Sequence, residues 1–218
     1  MKKIKTMRIA SILLIAVLMT TCAISGTFAK YVTSADATDT ARVAKWGVNI
    51  TATGVTFAKN YDDTVITTAD VKVVAPGTAG DMAAINITGT PEVSVVINYD
   101  ATLTLDGWAV TGDDFYCPIV IVINDGKTNE VEVSGLGYNS ASDFAAAVKA
   151  KVQAYSQTYE PNTDLDSKDT DNLTISWYWA FEEQGVINSY DTELGNKAAD
   201  GNASTIKLDV VVTVTQVD

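Results

Sequence analysis

Alternation at every second residue constrains this chain more than any other feature. Near the C-terminus, Ile206, Leu208, Val210, Val212 and Val214 face one way, while Lys207, Asp209, Thr213 and Thr215 face the other. Successive side chains of a strand point to opposite sides of its sheet, so this pattern suits a strand with one face on a core and does not suit a helix of period 3.6. The same rhythm places Trp46, Val48, Ile50 and Ala52 on one face, with Gly47, Asn49 and Thr51 on the other. It recurs in Val93, Val95, Ile97 and Tyr99, with Leu103 and Leu105 continuing or restarting it, and in Leu173, Ile175, Trp177, Trp179 and Phe181.

Shorter strands are expected at Val71–Val74 and Ala84–Thr88, with turns at Pro76-Gly77, Gly89-Thr90-Pro91 and Asp106-Gly107. Tyr116–Ile123 is the most apolar segment after the N-terminal run; Asn124-Asp125-Gly126 is a strong hairpin signal, with a return strand at Asn129–Val133. One segment breaks the rhythm. Phe144, Val148, Val152 and Tyr155 fall at helical spacing, Ser140 or Ser142 can cap the start, and Glu160-Pro161-Asn162 ends the pattern. This predicts a helix near 142–157, inserted between strands as a cover for one end or edge of the sheets. Many short strands with Gly and Pro turns predict a mainly β fold, a two-sheet β-sandwich of jelly-roll or Ig-like type with one inserted α-helix.

The N-terminus has the layout of a secretory signal. Lys2, Lys3, Lys5 and Arg8 precede an uncharged apolar run from Ile9 to Gly26, and Thr27-Phe28-Ala29 offers small residues at −3 and −1. Cleavage is expected before Lys30, with Thr27 and Ala29 as the recognised positions. A retained anchor is the alternative, since the run is long enough to span a bilayer. A lipoprotein reading would use Cys22, but Met19 and Thr21 stand where Leu and a small residue such as Gly or Ala are normal. The expected organisation is a signal peptide at 1–29, an extended polar segment at 30–41 and the β domain at 42–218.

Removing residues 1–29 from the 218-residue chain leaves 189, takes away four of 15 basic residues and none of 27 acidic ones, and leaves a net charge of −16. Nucleic acid, which needs a cationic face, is excluded as a partner, and so are anionic lipid surfaces. Contact with a membrane is expected only through an uncleaved signal. Cys117 is the only mature cysteine, so no internal disulfide can form, which fits a Gram-positive surface better than a disulfide-stapled extracellular module. Cys117 precedes an apolar strand and is expected to be a small buried hydrophobe.

The chain contains no histidine, which removes His-based triads and His-Glu-x-x-His zinc sites together. No catalytic residue and no cofactor is expected. Asp164, Asp166, Asp169 and Asp171 are spaced closely enough for a calcium loop, but an EF-hand counted from Asp164 would need Gly and Glu where Asp169 and Ile175 stand. A solvated acidic loop is the plainer reading. The segment from Asp191 to Asn202 is a second, similarly weak calcium candidate. Trp177, Tyr178 and Trp179 have the composition of a sugar-stacking platform, yet Trp177 and Trp179 share a face with Leu173 and Ile175 and are expected in the core. Trp46 and Trp108 are expected to be packed as well.

The stretch "SGTFAKYVTSADATDTARVAKWGVNI" resembles the export junction of the TasA/camelysin family of Gram-positive surface and biofilm-matrix proteins. The family's Gly-Thr-aromatic-Ala signal end is matched by Gly26-Thr27-Phe28-Ala29, and its first strand by Ala44-Lys45-Trp46-Gly47-Val48. "APGTAGD", "GTPEVSV", "ISWYWAFE", "DTELGNKAADG" and the terminal "VTVTQVD" are similar to the clostridial branch and span most of the chain. The resemblance implies a jelly-roll sandwich, processing by a signal peptidase of the SipW type, and assembly of copies into extracellular filaments. It also implies that the segment freed by cleavage acts as a donor strand to a neighbouring subunit. Tyr31, Thr33, Ala35 and Ala37 form a small, mildly apolar face suited to a groove; a disordered tail is the alternative for the same residues. Camelysins have been labelled metalloproteases, but without histidine this chain offers no ordinary zinc site for that activity.

The expected function is therefore a secreted structural subunit at the cell surface or in the biofilm matrix. Two alternatives remain at this stage. One is a monomeric adhesin that reads glycan or host protein through loops such as Asp106–Asp114; the other is a secreted hydrolase that depends on a metal or a carboxylate pair.

Overall fold

The computed structural model describes residues 42–54, 57–61, 64–68, 71–167, 172–181 and 185–217. The chain divides into two units, Met1–Val43 and Ala44–Asp218, and nearly all described residues belong to the second. That unit is mainly β, with antiparallel sheets and two helices.

Strands β1 (Val48–Gly54), β2 (Ala79–Gly89), β6 (Ile119–Ile123), β7 (Val131–Ser134) and β9 (Leu173–Trp179) form a five-stranded sheet in the order β1-β2-β9-β6-β7. Its registers include Val48↔Gly89, Ile85↔Leu173 and Ile121↔Trp177, with a bulge in β2 between Asp81 and Ala83. All five residues of β6 are buried. Ile119, Ile121 and Ile123 join the main core, while Val120 and Val122 pack on the other face with Ala180, Tyr178 and Val186. A strand covered on both sides reads as a continuous apolar run rather than an alternation, which is why this segment stood out in the sequence. Its hairpin forms at Asn124-Asp125-Gly126 as expected, with Asn124 and Gly126 at φ of 58° and 73°. Asn and Gly tolerate that left-handed conformation best.

Strands β3 (Val95–Asp106), β8 (Gln157–Tyr159) and β10 (Thr205–Gln216) form a three-stranded sheet in the order β10-β3-β8. Leu103 and Leu105 continue β3 rather than restarting a strand. A two-residue ladder, β4 (Ala109–Val110) with β5 (Asp114–Phe115), stands beside the sheets. One hydrophobic cluster holds side chains of both larger sheets, including Ile85, Ile87, Ile121, Ile175 and Trp177 from one and Val95, Ile97, Tyr99 and Leu103 from the other.

Helix α1 (Ala141–Gln153) is the predicted inserted helix, ending earlier than expected. Ser140 caps it, its side chain accepting from the Asp143 backbone N–H at 3.1 Å. Phe144, Val148 and Val152, four residues apart, are fully buried and seat the helix on β3. Gln157, predicted as helical, instead opens β8, because the chain turns at Ala154–Tyr155 and pairs with Val95–Ile97.

Three other expectations are corrected. A second helix, α2 (Asn188–Ala199), occupies most of the stretch Asp191–Asn202 read as a weak calcium candidate, where no helix was expected. Val71–Val74 forms no strand; Val73 donates its N–H to the Ala58 carbonyl at 3.0 Å and accepts from the Tyr61 hydroxyl at 2.9 Å, beside the turn at Pro76-Gly77. Trp46 precedes β1 and is 43% exposed, and Phe181, beyond the end of β9, is 56% exposed. Periodicity extended both strands past the point where pairing stops. Trp108, Trp177 and Trp179 are buried as expected, and Cys117 is wholly buried, its thiol pushed up to about 12 by desolvation.

Candidate functional site

The sequence placed function at the export junction. Thr27, Ala29, Lys30, Tyr31, Thr33, Ala35 and Ala37 lie outside the described residues, and so does the apolar run Ile9–Gly26. Among the described residues no helix is long and apolar enough to cross a membrane. The acidic candidates are placed only in part. Asp169 and Asp171 lie outside the described residues. Asp164 and Asp166 are exposed in and beside a short 3-10 turn at Leu165–Ser167, where Asp164 Oδ1 accepts from the Asp166 N–H at 3.2 Å. Asp166 Oδ1 accepts from the Gly89 N–H at 3.3 Å and so ties this turn to the end of β2. Among the described residues no three acidic or cysteine side chains gather as metal ligands.

Asp191 sits in the first turn of α2, well away from that loop in sequence, and its Oδ1 accepts from the Tyr116 hydroxyl at 2.9 Å. The same hydroxyl accepts from the Ile187 N–H at 3.0 Å. Burial raises the Asp191 carboxyl above the usual carboxylate range, against the opposing effects of the Tyr116 hydroxyl bonded to it and of the nearby Trp179 indole. Burial likewise pushes Tyr116 up to about 12. A carboxyl that holds its proton more tightly folded than unfolded makes the folded state more stable at low pH, and that contribution fades as pH rises through its folded value. Asp191→Asn abolishes this titration. Thermal midpoints of the variant and the parent, measured across pH, should therefore diverge in the variant's favour as pH rises above the ordinary carboxylate value of about 4. A difference that stays flat across this window would show that Asp191 titrates normally.

Loop Asp106–Asp114, a candidate reading surface, is fixed rather than free. Trp108 is buried and donates from Nε1 to the Thr205 carbonyl at 2.7 Å. Glu193 of α2 accepts from both the backbone and the hydroxyl of Thr111, at 3.1 and 2.7 Å, and these bonds hold its carboxyl below the usual range.

The feature that stands out is β10. Among the described residues this 12-residue strand pairs with β3 alone, which leaves its other edge without a ladder. Facing residues differ sharply. On β3, Val95, Ile97, Tyr99, Ala101 and Leu103 are buried; on β10, Ile206, Leu208, Val210, Val212 and Val214 touch the core but remain half-buried. On the reverse face Val211 is 59% exposed. At the edge of the other sheet, Ile50 of β1 is 39% exposed. The sequence marked β10 as its cleanest strand, but alternation shows only which residues share a face. It carries no signal for how completely that face is covered, which depends on a partner across the core.

Long uncharged edges invite pairing with another chain, and soluble proteins normally blunt them with charge, proline or a bulge. β10 carries Lys207 and Asp209 near one end, paired with each other at 2.7 Å, and only uncharged residues from Val210 to Gln216. It has no proline. The geometry can therefore accept an added strand that satisfies the open backbone edge and covers the half-exposed apolar row. Set against family models, curated proteins and solved structures, the chain matches none of them.

Proposed function

We propose that the chain is an exported structural subunit of a cell-surface or biofilm-matrix filament of a Gram-positive bacterium, a β-sandwich of jelly-roll or Ig-like type. Residues 1–29 are removed by a signal peptidase of the SipW type, and the freed segment after Ala29 then adds as a strand to the next copy. The observation that carries this reading is the open edge of β10 with its half-exposed apolar row. Lys30–Thr40 spans 11 residues, nearly the 12 of β10. Its alternation of Tyr31, Thr33, Ala35 and Ala37 would lay three small side chains and one aromatic ring along that row. Strand addition supplies backbone ladder bonds for affinity and side-chain fit for specificity. Head-to-tail donation from one copy to the next does not close on itself, so the product is a filament.

The resemblance of the junction to the TasA/camelysin family points the same way, and the sandwich reading is supported by the single core shared by side chains of both sheets. The test is size-exclusion chromatography and negative-stain microscopy of the chain beginning at Lys30. Polymer eluting early and visible as fibres is the expected result. A stable monomer at high concentration would instead favour the adhesin reading.

A further inference from the structure

Helix α2, the start of β10 and the segment 71–76 enclose a cavity of about 600 Å³, within the range of roughly 300–1,000 Å³ typical of small-molecule sites. Its walls are mostly apolar, with Phe57, Val74, Pro76, Trp108 and Leu194 among them. The Trp108 and Trp179 rings meet there at 5.4 Å and 52°. Lys72 and Thr205, both exposed, and Ser204, whose hydroxyl donates to the Gly107 carbonyl, also line it; two further polar groups interrupt the lining. One is the Asp191 carboxylate, whose Oδ1 is taken by Tyr116, while Oδ2 accepts no hydrogen bond among the described residues. The other is the Trp179 indole.

Trp179 is 6% exposed, and its Nε1–H is buried without a hydrogen-bond partner. The indole lies near enough to Asp191 to help hold the carboxylate charged, though without hydrogen-bond geometry. Trp108, by contrast, spends its Nε1–H on the Thr205 carbonyl. An unmade hydrogen bond at a buried donor is costly; among the buried polar atoms without a partner, which include the Trp177 indole N–H, only that of Trp179 belongs to a residue lining this cavity.

A lone acceptor and a lone donor, side by side in an apolar cavity, define the missing group. An ammonium would satisfy Asp191 and leave the indole N–H facing another donor. An anion would be repelled by Asp191. A hydroxyl donates to the carboxylate and accepts from the indole, and the tryptophan rings then pack an apolar body. We propose that this cavity binds a small neutral molecule with an apolar ring or chain and a hydroxyl head, held between Asp191 and Trp179. The site shares the start of β10, Thr205 and Ile206, with the assembling strand, but its two polar groups stand on α2 and β9, and occupancy does not depend on assembly.

Isothermal titration calorimetry of the whole chain with p-cresol tests this. The expected result is saturable binding at one site per chain, in about the millimolar range that so few ligand atoms allow. 4-Methylanisole, with the same ring and no hydroxyl proton, should bind about tenfold or more weaker, because the carboxylate then lacks its donor. Asp191→Asn should weaken p-cresol by a similar factor, and Trp179→Phe should also weaken it. If Trp179→Phe fails to fold, the near-isosteric Asp191→Asn still decides. Absence of saturable heat overturns the proposal, leaving at most a bridging water between the two groups. Equal affinity for p-cresol and its methyl ether, or tighter binding of benzylamine, overturns it too. Polymer that binds no p-cresol counts against this site alone; a monomer that binds it counts against the filament alone.

Discussion

Removing Lys30–Thr40 from the cleaved chain will abolish filaments and leave the β domain folded, with its thermal midpoint within about 2 °C of the parent. The asymmetry follows from where each set of contacts lies. Among the described residues the core cluster begins at Val48 and the sheets at β1, and the deletion leaves all of those contacts in place. Between subunits the deleted residues are the proposed strand. Without them β10 keeps an unpaired edge and its row from Ile206 to Val214 stays half-buried. Covering such a row contributes about 1 kcal/mol or less per side chain, and each ladder hydrogen bond about as much. Neither term is large alone, so assembly depends on the whole strand and should be lost in one step rather than weakened. Filaments of normal yield from the deletion, seen by negative stain, would falsify strand donation. A synthetic peptide of Lys30–Thr40 added to the deleted chain should bind it without restoring fibres, because a free peptide caps the edge and carries no second domain.

Strands whose two faces differ were legible in the sequence, as in β3 and β10, because a period of two survives any tertiary arrangement. The hairpin at Asn124-Asp125-Gly126 was legible because left-handed φ values restrict residue choice locally. Helix α1 was legible from Phe144, Val148 and Val152. Helix α2 was not, although Tyr190, Leu194 and Ala198 repeat at four-residue spacing. Its acidic residues drew the reading of a weak calcium candidate, and only Leu194 of the helix is buried. Missing α2 also hid the cavity, since Asp191 faces Tyr116 across 75 residues of sequence and no local pattern joins Asp191, Tyr116 and Trp179. The length of β10 was plain, while its open edge was not. Strand order and cover are properties of long-range pairing, and a chain read residue by residue holds no direct record of them.

A large loss of stability will come from a single substitution at Phe144. Its side chain is wholly buried between α1 and the sheets, its ring 5.7 Å from that of Tyr138 and stacked at 26°. Phe144→Ala removes that ring and leaves a cavity the flanking Val148 and Val152 cannot fill, because their β-branched rotamers are fixed by the helix. The expected cost is about 3–5 kcal/mol, a drop of roughly 10 °C or more in the thermal midpoint for a chain of this size. Phe144→Leu, which keeps most of the volume, should cost less than half as much. The effect should also reach assembly. Helix α1 packs on β3, and β3 is the only described strand that holds β10 in place. Loosening α1 should therefore lower the temperature at which filaments fall apart in step with the temperature at which the subunit unfolds. If filaments of the Phe144→Ala variant survive heating as well as the parent's while the subunit's own midpoint falls, the assembling surface is not the sheet that β3 supports, and the strand-addition site must be sought along β1 instead.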